Sequence, residues 1–415
     1  MRGGPIRISM KLRLFAALAA SLAVAQSPRG SEKVTFEGQP ALLVSNDKLQ
    51  LTVFPHGTGL GNLVLSDDPQ KLNPLWNPIR LAREAGRDAP FNGTFGHFPC
   101  VDGFGQPSPE DRAAGIPQHG EAHVTDFNVV EDSPGTVTLS ARLPIVQEVF
   151  TRTFHIVPGE NVIYVDSQLE NLLGFDRPVN WGEHATVDAP FLEPGKVRIT
   201  LSGTRSQNRD YTQGQGGRGG NAAPGGRAGN AGPAGGRGNA PATQRRLVPG
   251  ADFTWPMAPG LDGKPVDMSI LPEDPHYIDH AATLFDPSKR LAWLAVFNTE
   301  KHLVYGYVIR REDYPWVQHW GNYPSVAGLV RGLEFATQPY DVPKRETVTM
   351  GSMFGTPTYR WLPAKSKIDS HFLLFYSRTP AGLNSVDDVR LDGGKLTIED
   401  QTTKKQLVLA ASRGL

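Results

Sequence analysis

Two short stretches hold the residue types that acid–base chemistry needs. The first is Gly115–His123, reading G-I-P-Q-H-G-E-A-H. Pro117 and Gly120 mark it as a turn leading into an extended run. Side chains of an extended run alternate between faces, so the spacing predicts His119, Glu121 and His123 on one face. Three ionisable groups on one face are costly to bury unless they are paired or used. Two uses stand open. Alternating strand residues can ligate one metal ion, or the same groups can contact the hydroxyls of a bound sugar. The second stretch, Arg331–Asp341, reads R-G-L-E-F-A-T-Q-P-Y-D and puts Glu334 and Gln338 on one face by the same alternation.

Three further clusters mix aromatic and polar groups. They are Trp181–Asp188 (W-G-E-H-A-T-V-D) with His184, His276–His280 (H-Y-I-D-H) with Asp279, and Trp316–Trp320 (W-V-Q-H-W). Rings that stack on C–H faces beside groups that bind hydroxyls suit carbohydrate. This favours sugar contacts over metal for His119, Glu121 and His123. A groove lined by Trp181, Trp316 and Trp320 would instead suit a polymer. Cys100 is the only cysteine and reads as a buried structural thiol rather than a nucleophile. Walker A, a G-x-G-x-x-G within a βαβ unit and the G-x-S-x-G elbow are all absent from the sequence.

The elements that must position these groups read as strands. Leu42–Phe54 is a hairpin turning at Asn46-Asp47. Runs at Asp126–Val130, Thr136–Leu143, Val149–Val157, Val162–Leu169, Asn180–Leu192 and Val197–Ser202 follow. Further runs lie at Ala281–Phe285, Leu291–Asn298, Tyr305–Ile309, Gly332–Gln338, Thr347–Met353 and Phe372–Ser377. Arg80–Asp88 reads as a charged patch within loop chemistry. Helical period is weak and confined to Pro109–Ala114 and Pro380–Val386. Many short strands with almost no helix predict an all-β sandwich or barrel.

The chain carries 42 basic and 42 acidic residues among 415, so its balance gives no support for nucleic acid or a polybasic membrane surface. Arg2, Arg7, Lys11 and Arg13 precede the apolar run Leu14–Val24 and an A-x-A site at Ala23–Ala25, which predicts a signal peptide over residues 1–25. Export to the periplasm or outside the cell follows as an expectation, with residues 26–415 forming one domain. A single cysteine allows no internal disulfide, so stability must come from the core. Residues 213–243 are Gly, Ala, Asn, Pro and Arg in low-complexity order. They cannot bury apolar surface and are expected to form a disordered insertion.

The order of these motifs resembles the aldose 1-epimerases, the galactose mutarotase-like proteins, from about Asn46 to Tyr376. N-D-K-L-Q-L-T-V-F-P-H-G is similar to the family's first hairpin and glycine loop. Q-H-G-E-A-H resembles its histidine-glycine motif, which implies that His119 binds substrate. W-G-E-H-A-T-V-D-A-P-F resembles the segment of the catalytic acid, which implies His184. Y-I-D-H resembles the aspartate-histidine segment, which implies Asp279 as a hydroxyl ligand. G-L-E-F-A-T-Q-P-Y-D resembles the strand of the catalytic base, which implies Glu334, with Gln338 beside it. Where family members carry an arginine, this chain reads G-H-F-P-C-V-D-G-F, and His97 stands in that place. The resemblance implies a large antiparallel supersandwich, a monomeric sugar isomerase and no cofactor or metal. Its expected site is Glu334 and His184 for catalysis, with His119, Asp279, His97, Gln338, Glu121 and Trp181 for binding. A non-catalytic carbohydrate-binding protein, and a polysaccharide lyase or hydrolase on a related sandwich, are the competing readings.

Overall fold

The computed structural model describes residues 1, 30–211, 244–273, 277–323 and 329–415. Apart from Met1, the expected signal segment lies outside the described residues, as does the low-complexity stretch 213–243.

Alternating burial along the strands builds two facing sheets. In Glu148–Ile156 every second residue is buried, which is what a strand with one face on a core requires. The two main sheets have 11 and 8 strands, antiparallel neighbour to neighbour. Leu, Val, Phe and Tyr side chains from both fill the space between them. The fold is therefore an all-β sandwich of large antiparallel sheets.

Some strands are buried on both faces, and each has a reason. In Leu291–Asn298, Ala292, Leu294 and Val296 face the inter-sheet core. Trp293, Ala295 and Phe297 face a second core on the outer side of the 8-stranded sheet. That side is covered by a three-stranded meander, Asp388–Asp392, Lys395–Asp400 and Lys405–Ala410, which contributes Val389, Leu396, Ile398 and Leu409. The meander was not among the strands expected from sequence.

Three local expectations are overturned. Thr347–Met353 was expected as a strand because of its β-branched run, yet Lys344–Met350 is a helix. Its threonine hydroxyls bond back to carbonyls, Thr347 to Lys344 (2.7 Å) and Thr349 to Arg345 (2.8 Å), so the β-branched residues are accommodated. Pro78–Glu84 is also a helix, where loop was expected. Proline in its first turn and the Asn77 side chain accepting from the Arg80 N–H (2.8 Å) start it. Pro380–Val386 is not helical, whereas Pro109–Ala113 is, with a capping box from Ser108 and Asp111.

Five strands of the larger sheet position the site. They are β1 (His97–Val101), β2 (Trp181–Asp188), β3 (Ile278–Phe285), β4 (Trp316–Asn322) and β5 (Val330–Ala336). They lie side by side in the order β1-β2-β5-β4-β3.

Candidate functional site

Register decides which side chains meet. Phe98 pairs with His184, Gln318 with Glu334 and Ala282 with Gln318. The β2–β5 register, with Glu183 opposite Phe335 and Thr186 opposite Gly332, brings His184 alongside Glu334. One face of the sheet thus carries the row Phe98, His184, Glu334, Gln318. Beside it runs the row Thr186, Gly332, Trp320, His280.

His184 Nε2 lies 3.3 Å from Glu334 Oε1. His184 Nδ1 lies 2.8 Å from the Thr186 hydroxyl. A hydroxyl can donate or accept, so Thr186 supports the imidazole whichever nitrogen carries the proton. Phe98 stacks on His184 with ring centres 4.4 Å apart and planes 15° from parallel. Trp320 stands at 6.0 Å, edge toward the imidazole. His119 meets it edge-on at 5.0 Å. The Gly105 N–H stands 3.2 Å from His119 Nδ1 and the Gln118 side-chain amide nitrogen 3.0 Å from Nε2, so a donor faces each ring nitrogen.

Gly332 makes room for the carboxylate. A Cβ at this position would lie 2.5 Å from Glu334 Oε1.

Burial sets the protonation of the pair. Glu334 is 3 % exposed and His184 7 %. Desolvation pushes the Glu334 carboxyl up to about 8, with Arg209 pulling weakly the other way. Desolvation lowers His184 to about 3. His119 is also held well below the usual imidazole range, by burial first and then by His184 and His123. Between about pH 3 and 8 the pair therefore holds one proton. Carboxylic acid with neutral imidazole and carboxylate with imidazolium are two placements of that same proton.

Several expected site residues lie elsewhere. Trp181 and His97 point into the inter-sheet core, because alternation on β2 and β1 sends them opposite to His184 and Phe98. Trp181 is fully buried between Phe150 and Tyr314. Both His97 nitrogens are engaged, Nε2 with Glu183 (2.8 Å) and Nδ1 with the Tyr307 hydroxyl (2.9 Å). Asp279 also lies on the face opposite Glu334, where Arg246 grips it with Nε at 3.1 Å and Nη2 at 2.7 Å. Its neighbour His280 takes the cleft face. Trp316 is fully buried, its indole N–H on the Pro357 carbonyl (3.1 Å), so it and Trp181 cannot line an open groove.

The Gly115–His123 stretch is not a strand. His119 and Gly120 both have left-handed backbone, φ 67° and 82°, and Ala122–Val124 forms one turn of 3-10 helix. The reversal still delivers His119 to the site but turns Glu121 away. The Glu121 carboxylate accepts from the N–H groups of Ile145 (3.0 Å) and Val146 (3.2 Å). The three groups of this stretch therefore do not converge. Among the described residues no group of three or more His, Cys, Asp or Glu is placed to hold a metal ion.

Gln338 falls beyond the end of β5, so strand alternation does not reach it. Its carbonyl accepts from Gln318 Nε2 (3.3 Å) and its Oε1 from the Thr337 hydroxyl (2.6 Å). Gln318 occupies the position expected for it, opposite Glu334, with a buried Oε1 that has no hydrogen-bond partner. Gln318 stood within the W-V-Q-H-W cluster but was not singled out from the sequence. Alternation in W-V-Q-H-W, which puts Trp316, Gln318 and Trp320 on one face, was the available signal.

No protein-family model matches this chain, and no curated protein sequence does. Solved structures do match. A galactose mutarotase-like protein from Clostridium acetobutylicum superposes with TM-score 0.56 at 10% identity, over 84% of this chain and 98% of that one. A protein named as a candidate aldose 1-epimerase from Klebsiella pneumoniae gives 0.54 at 16% identity, over 82% and 80%. A galactose mutarotase related enzyme from Lactobacillus acidophilus gives 0.51 at 12%, over 85% and 100%. The class is thereby defined: this chain has the galactose mutarotase-like fold. At these identities the likeness is one of fold.

Proposed function

We propose that this protein is an exported aldose 1-epimerase-like isomerase that interconverts the anomers of a sugar by ring opening. The observation that carries the reading is the contact between Glu334 and His184 on adjacent strands, beside His119 and Trp320. The anomeric hydroxyl oxygen and the ring oxygen are bonded to one carbon. A carboxyl and an imidazole with their heads side by side can serve both. Glu334 takes the proton from the anomeric hydroxyl, the bond from C1 to the ring oxygen breaks, and His184 protonates that oxygen. The C1–C2 bond of the open aldehyde rotates, and the reverse steps close the ring on its other face. Trp320 supplies a ring for the sugar's C–H surface. His119 stands beside the pair as a hydroxyl-binding group, and Gln318 Oε1 supplies an acceptor.

The test is anomer exchange, followed by polarimetry or NMR, over a panel of free aldoses. Catalysed exchange of at least one supports the proposal. Saturable sugar binding with no exchange on any member would put the non-catalytic reading in its place. That second reading has one observation in its favour, since the two groups lie 3.3 Å apart and are almost closed off. Export is tested separately: the exported protein should begin at or near Gln26, and mass spectrometry finding Leu14–Val24 intact would refute it.

The shared proton gives a pH prediction. Above about pH 8 the pair loses it, and no acid is left for the ring oxygen. Exchange should therefore hold level through neutral pH and fall as pH rises through about 8. A rate that climbs across this range would show that the ionised Glu334 works alone.

Gly332→Ala should slow exchange by about 10²-fold, since a catalytic group displaced by an ångström loses about that much. Thermal stability should barely change. An unaffected rate would mean that Glu334 need not sit where it does.

A further inference from the structure

We infer that the protein has a second saccharide-binding site, on the opposite side of the larger sheet from the Glu334–His184 pair. The site is a cleft of about 500 Å³ between the edge strand Val197–Leu201, the segment around Trp255–Ser269, and the C-terminal meander. Trp255, Trp293, Thr200, Ser269, Asp387 and Gln401 are among its lining residues.

Its position follows from alternation. Trp255 stacks on His319, ring centres 4.2 Å apart and planes at 17°. His319 projects from the face of β4 opposite Gln318 and Glu334. The sheet itself therefore separates the cleft from the pair, and one ligand cannot touch both.

The lining specifies the ligand's chemistry. The half-buried Trp255 indole borders the space and suits the C–H face of a sugar ring, while Trp293, 7 % exposed, belongs mainly to the second core. Around them stand neutral hydroxyl and amide groups and one carboxylate, and no lysine or arginine lines the cleft. A phosphate or carboxylate ligand would find no counter-charge there. A neutral polyhydroxylated ligand finds stacking surface, donors and acceptors. The volume lies within the range of small-ligand sites, roughly 300–1,000 Å³.

The wall from the meander is held in place. The Asp400 carboxylate accepts from the N–H groups of Asn384 (2.8 Å), Ser385 (3.2 Å), Thr402 (2.9 Å) and Thr403 (2.9 Å). Asp387 accepts from the Gln401 N–H (2.8 Å). These bonds tie the two meander loops together and fix the groups they present.

The experiment is an NMR titration of the full chain with D-glucose, D-galactose, maltose and lactose, observing the indole N–H signals. At least one sugar should move the Trp255 and Trp293 signals saturably, in the wild type and in Glu334→Gln alike. Trp255→Ala should raise the dissociation constant for that cleft, read on Trp293, about tenfold, the loss of one stacking surface. Gln401→Ala alters an exposed side chain and spares the backbone bond to Asp387. It should raise the constant about threefold with the fold intact. Signals that no sugar moves, shifts confined to Trp320, or shifts unchanged in both variants would overturn the inference. Absence of anomer exchange would sink the epimerase proposal and leave this site standing, so the two failures are distinct.

Discussion

Glu334→Gln and His184→Asn should each slow anomer exchange by about 10²–10⁴-fold, the usual contribution of a general acid or base. The physical reason lies in the shared proton. Glutamine keeps the shape of Glu334 but can neither take nor release one. Asparagine at 184 offers a donor in place of the imidazole but cannot carry a proton to the ring oxygen. Because the two groups act as a unit, the double variant should lose little more than the worse single one. Glu334→Gln is nearly isosteric, whereas His184→Asn also removes the ring stacked on Phe98, so circular dichroism should accompany both to verify that the fold survives. Thr186→Val belongs to the same experiment: it should lower the rate while Thr186→Ser restores it, because only the hydroxyl supports Nδ1. If both catalytic variants exchange at near wild-type rates on a sugar that the wild type turns over, the assignment of the pair is wrong.

Arg152→Met should destabilise the protein by about 3–5 kcal/mol, the cost of leaving a buried charge without its partner. Directly behind His184, Glu183 points into the inter-sheet core, where it and Arg152 are both fully buried. Arg152 bonds Glu183 Oε1, the Tyr314 hydroxyl reaches the same oxygen at 3.1 Å, and His97 holds the other. Burial drives the Glu183 carboxyl up, but Arg152 and His97 more than offset it and hold it below its usual range. Without Arg152 the balance reverses. The melting temperature should then fall by about 4–6 °C. Pairing Arg152→Met with Glu183→Gln should recover much of the loss, since removing both charges leaves none stranded. If the single variant melts with the wild type, the ion pair contributes nothing. This network joins β2 to the strand Glu148–Ile156 and, through His97 and Tyr307, to Leu303–Arg310. It thus packs the strand that carries His184 from the side opposite the site.

Much of the architecture was legible in the sequence because strand alternation is a local property. Thr136–Leu143 and Leu291–Asn298 stand where the pattern put them, and the Asn46 turn caps the first hairpin. His184, Glu334 and His119 were each marked by motif order, and the tertiary structure brings all three together. What local pattern could not decide was which face of each strand meets the cleft. A slip of one position sends a side chain to the other side of a sheet. For that reason His97, Trp181 and Asp279 fell in the core or on the far face, while Phe98 and His280, one residue away from two of them, reached the site. Gln338 lies past the strand end at Ala336, and Glu121 is turned away because two left-handed residues reverse the chain before it. The protonation of the pair belongs to the tertiary structure alone. Nothing in G-L-E-F or W-G-E-H foretells a carboxyl raised to about 8 beside an imidazole lowered to about 3, because both shifts come from desolvation by the packed sandwich.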